Sequence, residues 1–291
     1  MDKSQSSTSA SGIAALRAYE SRKPEGERIC NDTYARHFIS TWMYHLVNFF
    51  MRLGWDKIKG PDVVGYLVVR CRYMDDYLES CIKDGIKQLV ILGAGYDSRA
   101  YRFEQLKGRV KVFEVDLPGT QEIKRKKLVN VFGGIPDGVV LVPVDFNTQK
   151  LDERLKESGY DGSLKTLFIM EGVVFYLTPE AVDGTLAFIV GHSGNGSSVI
   201  FDYTDKAVVD GTYKRSEISS MRRYKAFSGE EIVYGIDSST IKEFMEGRGF
   251  DHVVNVTGDD LHRMYFKGAN EKRQVAPIYS IVHATVRPKN G

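Results

Sequence analysis

"LVILGAGYDSRAYR", residues 89–102, decides how this chain is read. Leu89-Val90-Ile91-Leu92 is an apolar run of strand type that breaks at Gly93-Ala94-Gly95, and Asp97, Arg99 and Arg102 follow. Glycine lets a backbone turn sharply and lets a ligand approach the main chain closely. A strand that ends in such a turn and opens a helix commonly holds a nucleotide-like ligand. Taken alone, the turn reads equally well as a tight strand–helix connection with no ligand.

The surroundings shift that balance. Further apolar β-type runs stand at 110–115, 138–144, 166–170, 197–203 and 278–286, with helical stretches at 119–132, 150–158, 178–191 and 238–248. This alternation predicts an α/β fold, a doubly wound and mainly parallel Rossmann-like sheet. Such sheets bind ligands outside the carboxyl ends of their strands. Several of these ends carry acids: "FEVD" (Glu114, Asp116), "PVDF" (Asp145, beside Phe146) and "IMEG" (Glu171). Each acid alone reads as a helix cap or a solvated loop residue. Together they predict one polar rim. Glu114 shares a strand face with Asp116, so it faces the pocket or pairs with a cation.

Upstream, "HFISTWMYHLVNFFMRLGW" and "VVGYLVVRCRYMDDYLESCI" have apolar residues at helical spacing. They predict a helical cap over 13–85, ahead of a ligand-binding domain over 86–291. Residues 1–12 are polar and Ser-rich and are expected to form a disordered tail. The charged, Tyr-rich segment 204–235 breaks the alternation and is expected to be a lid insertion.

With 291 residues, 42% of them hydrophobic, the chain can bury a large core. Its net charge of +2 lacks the basic excess of a general nucleic-acid binder. "KRKK", Lys124 to Lys127, reads as a solvated helix face. Cys30, Cys71 and Cys81 and the six histidines have no metal-ligand spacing, so no metal is expected. The cysteine usage fits a reducing compartment, and no apolar signal core or membrane-length segment is present in the sequence. The expectation is a cytoplasmic protein with neither nucleic-acid nor membrane partners.

The rim also narrows the ligand. Ser98 stands where a dinucleotide fingerprint takes its third glycine or alanine. Asp97 sits where a helix N-terminus would receive a pyrophosphate, which a carboxylate repels. An acid-lined pocket suits a ligand with no phosphate, a ribose diol and a positive centre, such as S-adenosylmethionine. Asp116, about 20 residues past the turn, is placed to bond the diol. NAD offers a diol too, so that feature does not separate the two.

These residues resemble a known family. "LVILGAGYDSRAYRF", "VFEVDLPG", "VDF" and "FIMEGVVFYLTPEAV" occur in the order and spacing of the leucine carboxyl methyltransferase-like family of S-adenosylmethionine-dependent O-methyltransferases. "RAYES…NDTYARHF" and "VVRCRYMDDYL" resemble the helical cap of its prokaryotic members, and "EEIVYGIDSSTIKEFMEGRGF" their late helix. The similarity spans roughly 13–285. It implies S-adenosyl-L-methionine as cofactor. Gly93 and Gly95 then form the turn beside it, Asp116 takes the ribose, and Asp145 and Phe146 take the adenine. Glu171 stands at the methionine end, and Arg70 meets the methionine carboxylate, with Arg17 in the same role from the first helix. Arg72, next to Arg70, is the alternative. Asp32-Thr33 stands where the family has "DP".

Methyl transfer from a sulfonium is an in-line displacement with a neutral leaving group, so the enzyme chiefly aligns the reactants. A carboxylate acceptor is ionised at neutral pH and needs no base. An arginine fork would hold it. Arg99 and Arg102 are candidates, unless they pair with Asp97 or Glu104. Tyr176 is either a pocket wall or a core aromatic. A phenol or alcohol would need a base, and no histidine stands out for that role. The leading reading is an O-methyltransferase acting on a small molecule or a carboxyl-terminal peptide, through a carboxylate or a hydroxyl. An NAD(P)-dependent dehydrogenase and a non-catalytic binding module are the alternatives.

Overall fold

The computed structural model describes residues 3–54, 61–145, 149–213 and 232–288. Seven strands form one sheet: β1 (Gln88–Leu92), β2 (Lys111–Asp116), β3 (Val139–Pro143), β4 (Thr166–Met170), β5 (Ser198–Thr204), β6 (Phe250–Thr257) and β7 (Tyr279–Val286), in the order β3-β2-β1-β4-β5-β7-β6. Strands β1 to β5 pair in parallel, with Leu89 between Val112 and Leu167. β7 enters antiparallel between β5 and β6. The expected doubly wound, mainly parallel sheet is present. Its first strand lies inside the sheet with chain reversal on either side, which opens a crevice at its carboxyl end.

Side chains alternate across β1. Leu89 and Ile91 join one core with α1 (Lys3–Glu20) and α3 (Pro61–Lys83), while α2 (Thr41–Arg52) packs at its margin. Val90 and Leu92 join a second core with α7 (Pro179–Gly191) and α9 (Ile241–Glu246). The shorter α4 (Arg99–Arg102) follows the glycine turn, and α5 (Pro118–Phe132) and α6 (Leu151–Glu157) follow β2 and β3. α5 and α7 each begin at a proline, whose fixed φ and missing N–H suit the first helical turn.

Two readings differ from the structure, and a third falls largely outside the described residues. Helix α1 begins at Lys3, inside the expected tail, and Ala10 packs beside Gly95, so the backbone has no boundary at residue 12. Strand β6 was not among the expected runs. It is an edge strand with alternating exposure and a bulge between Asp251 and Val254, where His252 takes φ +52°. Such a strand carries too little continuous apolar signal to stand out. The expected lid falls largely at 214–231, outside the described residues. Its two ends meet where the Ile236 amide donates to the Thr204 carbonyl at 3.0 Å, beside α8 (Lys206–Val209).

Candidate active site

The glycine turn closes over the end of β1 with φ +66° at Gly93 and +43° at Gly95, backbone that side-chain-bearing residues rarely adopt. A Cβ at Gly93 would also collide with the Val173 side chain. Asp116, at the end of β2, holds the turn. Its Oδ2 accepts from the Gly95 amide at 2.6 Å and its Oδ1 from the Leu117 amide at 2.7 Å. Burial raises the Asp116 pKa, against the pull of those two amides. The Thr120 side chain bonds the same carboxylate, whose remaining acceptor capacity is what a ligand hydroxyl would use. Asp145 follows β3, half-buried, its amide donating to Gln149 Oε1 at 3.0 Å. Phe146 lies outside the described residues.

Between the cap helices and the strand ends runs a chain of alternating charges. Arg17 Nε lies 3.3 Å from Asp32 Oδ2, and the other Asp32 oxygen is 4.0 Å from Arg102 Nε. Arg102 Nη2 meets Asp75 Oδ1 at 2.6 Å, and Arg99 Nε meets the same oxygen at 2.8 Å. Arg99 pairs with Asp97 and reaches Glu171 Oε2 at 2.8 Å. Arg70 Nη2 lies 3.2 Å from Glu171 Oε1, and its Nη1 lies 2.7 Å from Asp202 Oδ2. None of these charged side chains is more than 10% exposed. Burial alone would raise the pKa values of Glu171 and Asp97. The guanidiniums outweigh it: Arg99, Arg70 and Arg17 hold Glu171 well below the carboxylate range, and Arg99 does most to hold Asp97 down.

Arg70, not Arg72, points inward. Arg72 pairs with Asp76 at 2.8 Å on the surface. Arg17 also donates to the Tyr96 carbonyl at 2.7 Å, tying α1 to the glycine loop. Arg99 and Arg102, candidates for holding an acceptor anion, are instead enclosed by Asp75, Asp97, Glu171 and Ser98. Asp97 does pair with Arg99, while Glu104 pairs with Lys107. Tyr176 is half-buried against the first core, edge-on to Phe175 with centroids 4.6 Å apart.

Lys124 is also corrected. Its ammonium is buried beneath the turn, 2.7 Å from Glu114 Oε2 and 2.8 Å from the Asp97 carbonyl, and Tyr101 donates to the same Glu114 oxygen at 2.8 Å. Glu114 thus pairs with a cation rather than facing the pocket. Ser98 donates to Asp32 Oδ1 at 2.6 Å, and Asp32 also accepts from the Ala35 amide at 2.9 Å, so the turn forms without the family's proline.

Two members of the charge chain escaped sequence reasoning. Asp202 sits inside the apolar "VIFDYT" of β5, where a buried acid demands a partner. Asp75 shares the buried face of α3 with Cys71, Met74 and Leu78, an acid at an apolar helical position.

Beside Gly93 opens a cavity of about 500 Å³, lined by Leu92, Met170, Val173, Leu177 and Phe188, with His192 and Lys150 among its polar residues. Arg99, Arg102 and Tyr176 are not in its lining. Among the described residues, no group of acids, histidines or cysteines is arranged to hold a metal ion, and no helix is long and apolar enough to cross a membrane.

Comparison with known proteins bears on the family and the fold. A provisionally named S-adenosyl-L-methionine-dependent methyltransferase of Mycobacterium avium (strain 104) is 30% identical over 254 residues, 82% of this chain and 80% of its own. YktD of Bacillus subtilis (strain 168), provisionally named in the same way, is 29% identical over 217 residues, 75% of this chain and 71% of its own. The crystal structure of a provisionally assigned methyltransferase from Thermobifida fusca YX superposes with a TM-score of 0.58, at 13% identity, covering 95% of both chains, which shows the shared fold. The sequence profile of the leucine carboxyl methyltransferase family matches residues 10–190, the stretch that carries the cap, the glycine turn and the strand-end acids, and the chain belongs to that family.

Proposed function

We propose that this S-adenosylmethionine-dependent methyltransferase delivers the methyl group to an oxygen, with a carboxylate as the preferred acceptor. The carboxylate belongs to a small molecule or to the carboxyl terminus of a peptide. The observation that carries this reading is the state of the acid at the methionine end. Glu171 is held ionised between Arg70 and Arg99 with its pKa well lowered, so it is a poor proton acceptor. No histidine takes part in the hydrogen bonds that join the charge chain. A nucleophile that arrives already ionised needs neither.

The residues present fit the cofactor. The charge chain has five carboxylates (Asp32, Asp75, Asp97, Glu171, Asp202) to four guanidiniums (Arg17, Arg70, Arg99, Arg102), which favours a ligand with net positive charge. When bound, the cofactor supplies an electrophilic methyl on a sulfonium. Arg70 would hold its amino-acid carboxylate, Glu171 its ammonium, Asp116 its ribose diol and Asp145 its adenine. Arg99 and Arg102 latch the cap to the turn. By burying this face, the cap would keep water from the bound cofactor's methionine end.

The test is incubation with methyl-labelled cofactor, a panel of carboxylates and phenols, and a cell extract, followed by mass spectrometry. The expected product gains CH2 and loses its label in mild alkali, as a methyl ester does. Alkali-stable label would mean an ether or a carbon- or nitrogen-bound methyl, and it would overturn the carboxylate assignment. Binding of NADH without turnover of the methyl donor would overturn the whole reading.

A further inference from the structure

We propose that Asp202 is a positioning residue for cofactor binding, fixing the Arg70 guanidinium where it receives the cofactor's amino-acid carboxylate. This rests on the reading of Arg70 given above. Asp202 lies inside β5 with no exposed surface, where a carboxylate is costly unless it is fully bonded. It gathers three donors from two elements. The Gly172 amide donates to Oδ1 at 2.6 Å, and Arg70 Nη1 and the Tyr66 hydroxyl donate to Oδ2 at 2.7 and 3.2 Å.

The arrangement restricts Arg70 on two sides. Glu171 at the end of β4 takes Nε at 3.2 Å, and Asp202 on the neighbouring β5 takes Nη1. An arginine on a helix has many rotamers, and two acids on adjacent strands leave one. The guanidinium also lies against bare backbone. Gly172 has φ +71°, and a Cβ there would sit 3.3 Å from Arg70 Nη1. Because Asp202 bonds both the Gly172 amide and Arg70, it sets the guanidinium and the loop beside Glu171 together. A buried ion pair seldom adds stability over an apolar pair of similar size. An acid at this strand position is therefore better explained by placement of Arg70 than by stability.

The test compares two ligands by isothermal titration. S-adenosylhomocysteine carries the amino-acid end, and 5′-methylthioadenosine lacks it. Asp202→Asn keeps the shape and the Oδ1 acceptor but removes the charge facing Arg70. It is expected to weaken S-adenosylhomocysteine about tenfold and to leave 5′-methylthioadenosine within about twofold. Arg70→Ala is expected to show the same selectivity, and the double variant to lose less than the product of the two. Equal losses for both ligands in Asp202→Asn, with Arg70→Ala selective, would make Asp202 a structural prop and overturn the inference. An unselective Arg70→Ala would instead overturn the reading on which it rests. Should Asp202→Asn not fold, Tyr66→Phe removes one donor to the same oxygen. It is expected to give a selective loss of about threefold, and an unselective result there would overturn the inference.

Discussion

The two faces of the sheet are built from different chemistry. On one, Val90, Leu92, Phe113, Phe168 and Met170 meet α7 and α9 through apolar side chains. On the other, α1 and α3 also bury Leu89, Ile91 and Leu167, but the rim at the strand ends is closed by the charge chain from Arg17 to Asp202. An apolar contact is non-directional and tolerates small shifts. Buried carboxylates and guanidiniums tolerate few, because an unpaired buried charge is costly. The apolar face serves folding, and at the strand ends it also walls the cavity beside Gly93. The charged face trades stability for a defined arrangement, and every candidate contact to the cofactor's methionine end lies there.

Truncation on each face gives the largest effects and separates the two roles. Phe168→Ala is expected to cost about 3–5 kcal/mol through the cavity it leaves. Arg99→Ala is expected to cost about as much, because it leaves buried Asp97 without its paired cation and takes one of two cations from Asp75 and Glu171. Denaturant unfolding measures both. Cofactor titration of the folded fraction should then differ: binding survives in the Phe168 variant and is lost in the Arg99 variant. Loss of binding in both would erase the distinction between the faces.

Next comes the ribose acid. Asp116→Ala is expected to remove about 1.5–3 kcal/mol of S-adenosylhomocysteine affinity, since it removes the ribose acceptor and both oxygens that anchor the turn. Unchanged affinity would move the ribose to another acid.

The third effect is a pH dependence. His283 of β7 packs on Tyr77, with ring centroids 4.3 Å apart, and burial lowers its pKa to about 4. The unfolded histidine titrates near 6.5. The unfolded chain therefore binds the proton first, and stability falls as pH drops from about 6.5 towards 4. At pH 5 the loss is about 2 kcal/mol. Glu171 behaves differently: its lowered pKa keeps its contribution intact above about pH 5, to be lost progressively in stronger acid. His283→Gln should flatten the limb between about pH 6.5 and 5. If that limb persists, it comes from the charge chain after all.

The smallest effect belongs to Arg72. Its pair with Asp76 is exposed, and Arg72→Ala should change stability by less than about 1 kcal/mol and cofactor affinity not at all. A clear affinity loss would reverse the choice of Arg70 over Arg72.

Sequence reading reached the two faces unequally. β1, β2, β4 and β5 were legible because strands buried on both sides are largely apolar runs, even where Glu114 and Asp202 interrupt them, while the one-sided edge strand β6 was not. The glycine turn and Asp116 were legible from local spacing, because the backbone itself demands glycine there. Lys124 was misread because it stands in a charged run. Its period with Gln121 and Leu128, both buried, marked it as inward-facing. The partners within the charge chain were the hardest to see. Arg70 and Asp202 are 132 residues apart, and single residues do not announce which distant charge they meet.

The central claim is that cofactor binding engages the charged face and draws the cap onto it. Hydrogen exchange with and without S-adenosylhomocysteine tests this directly. Added protection is expected in the last turns of α1, along α3 and across residues 93–102, with α9 and β6 unchanged. Protection confined to the turn and the strand ends, with α1 and α3 exchanging as before, would contradict it.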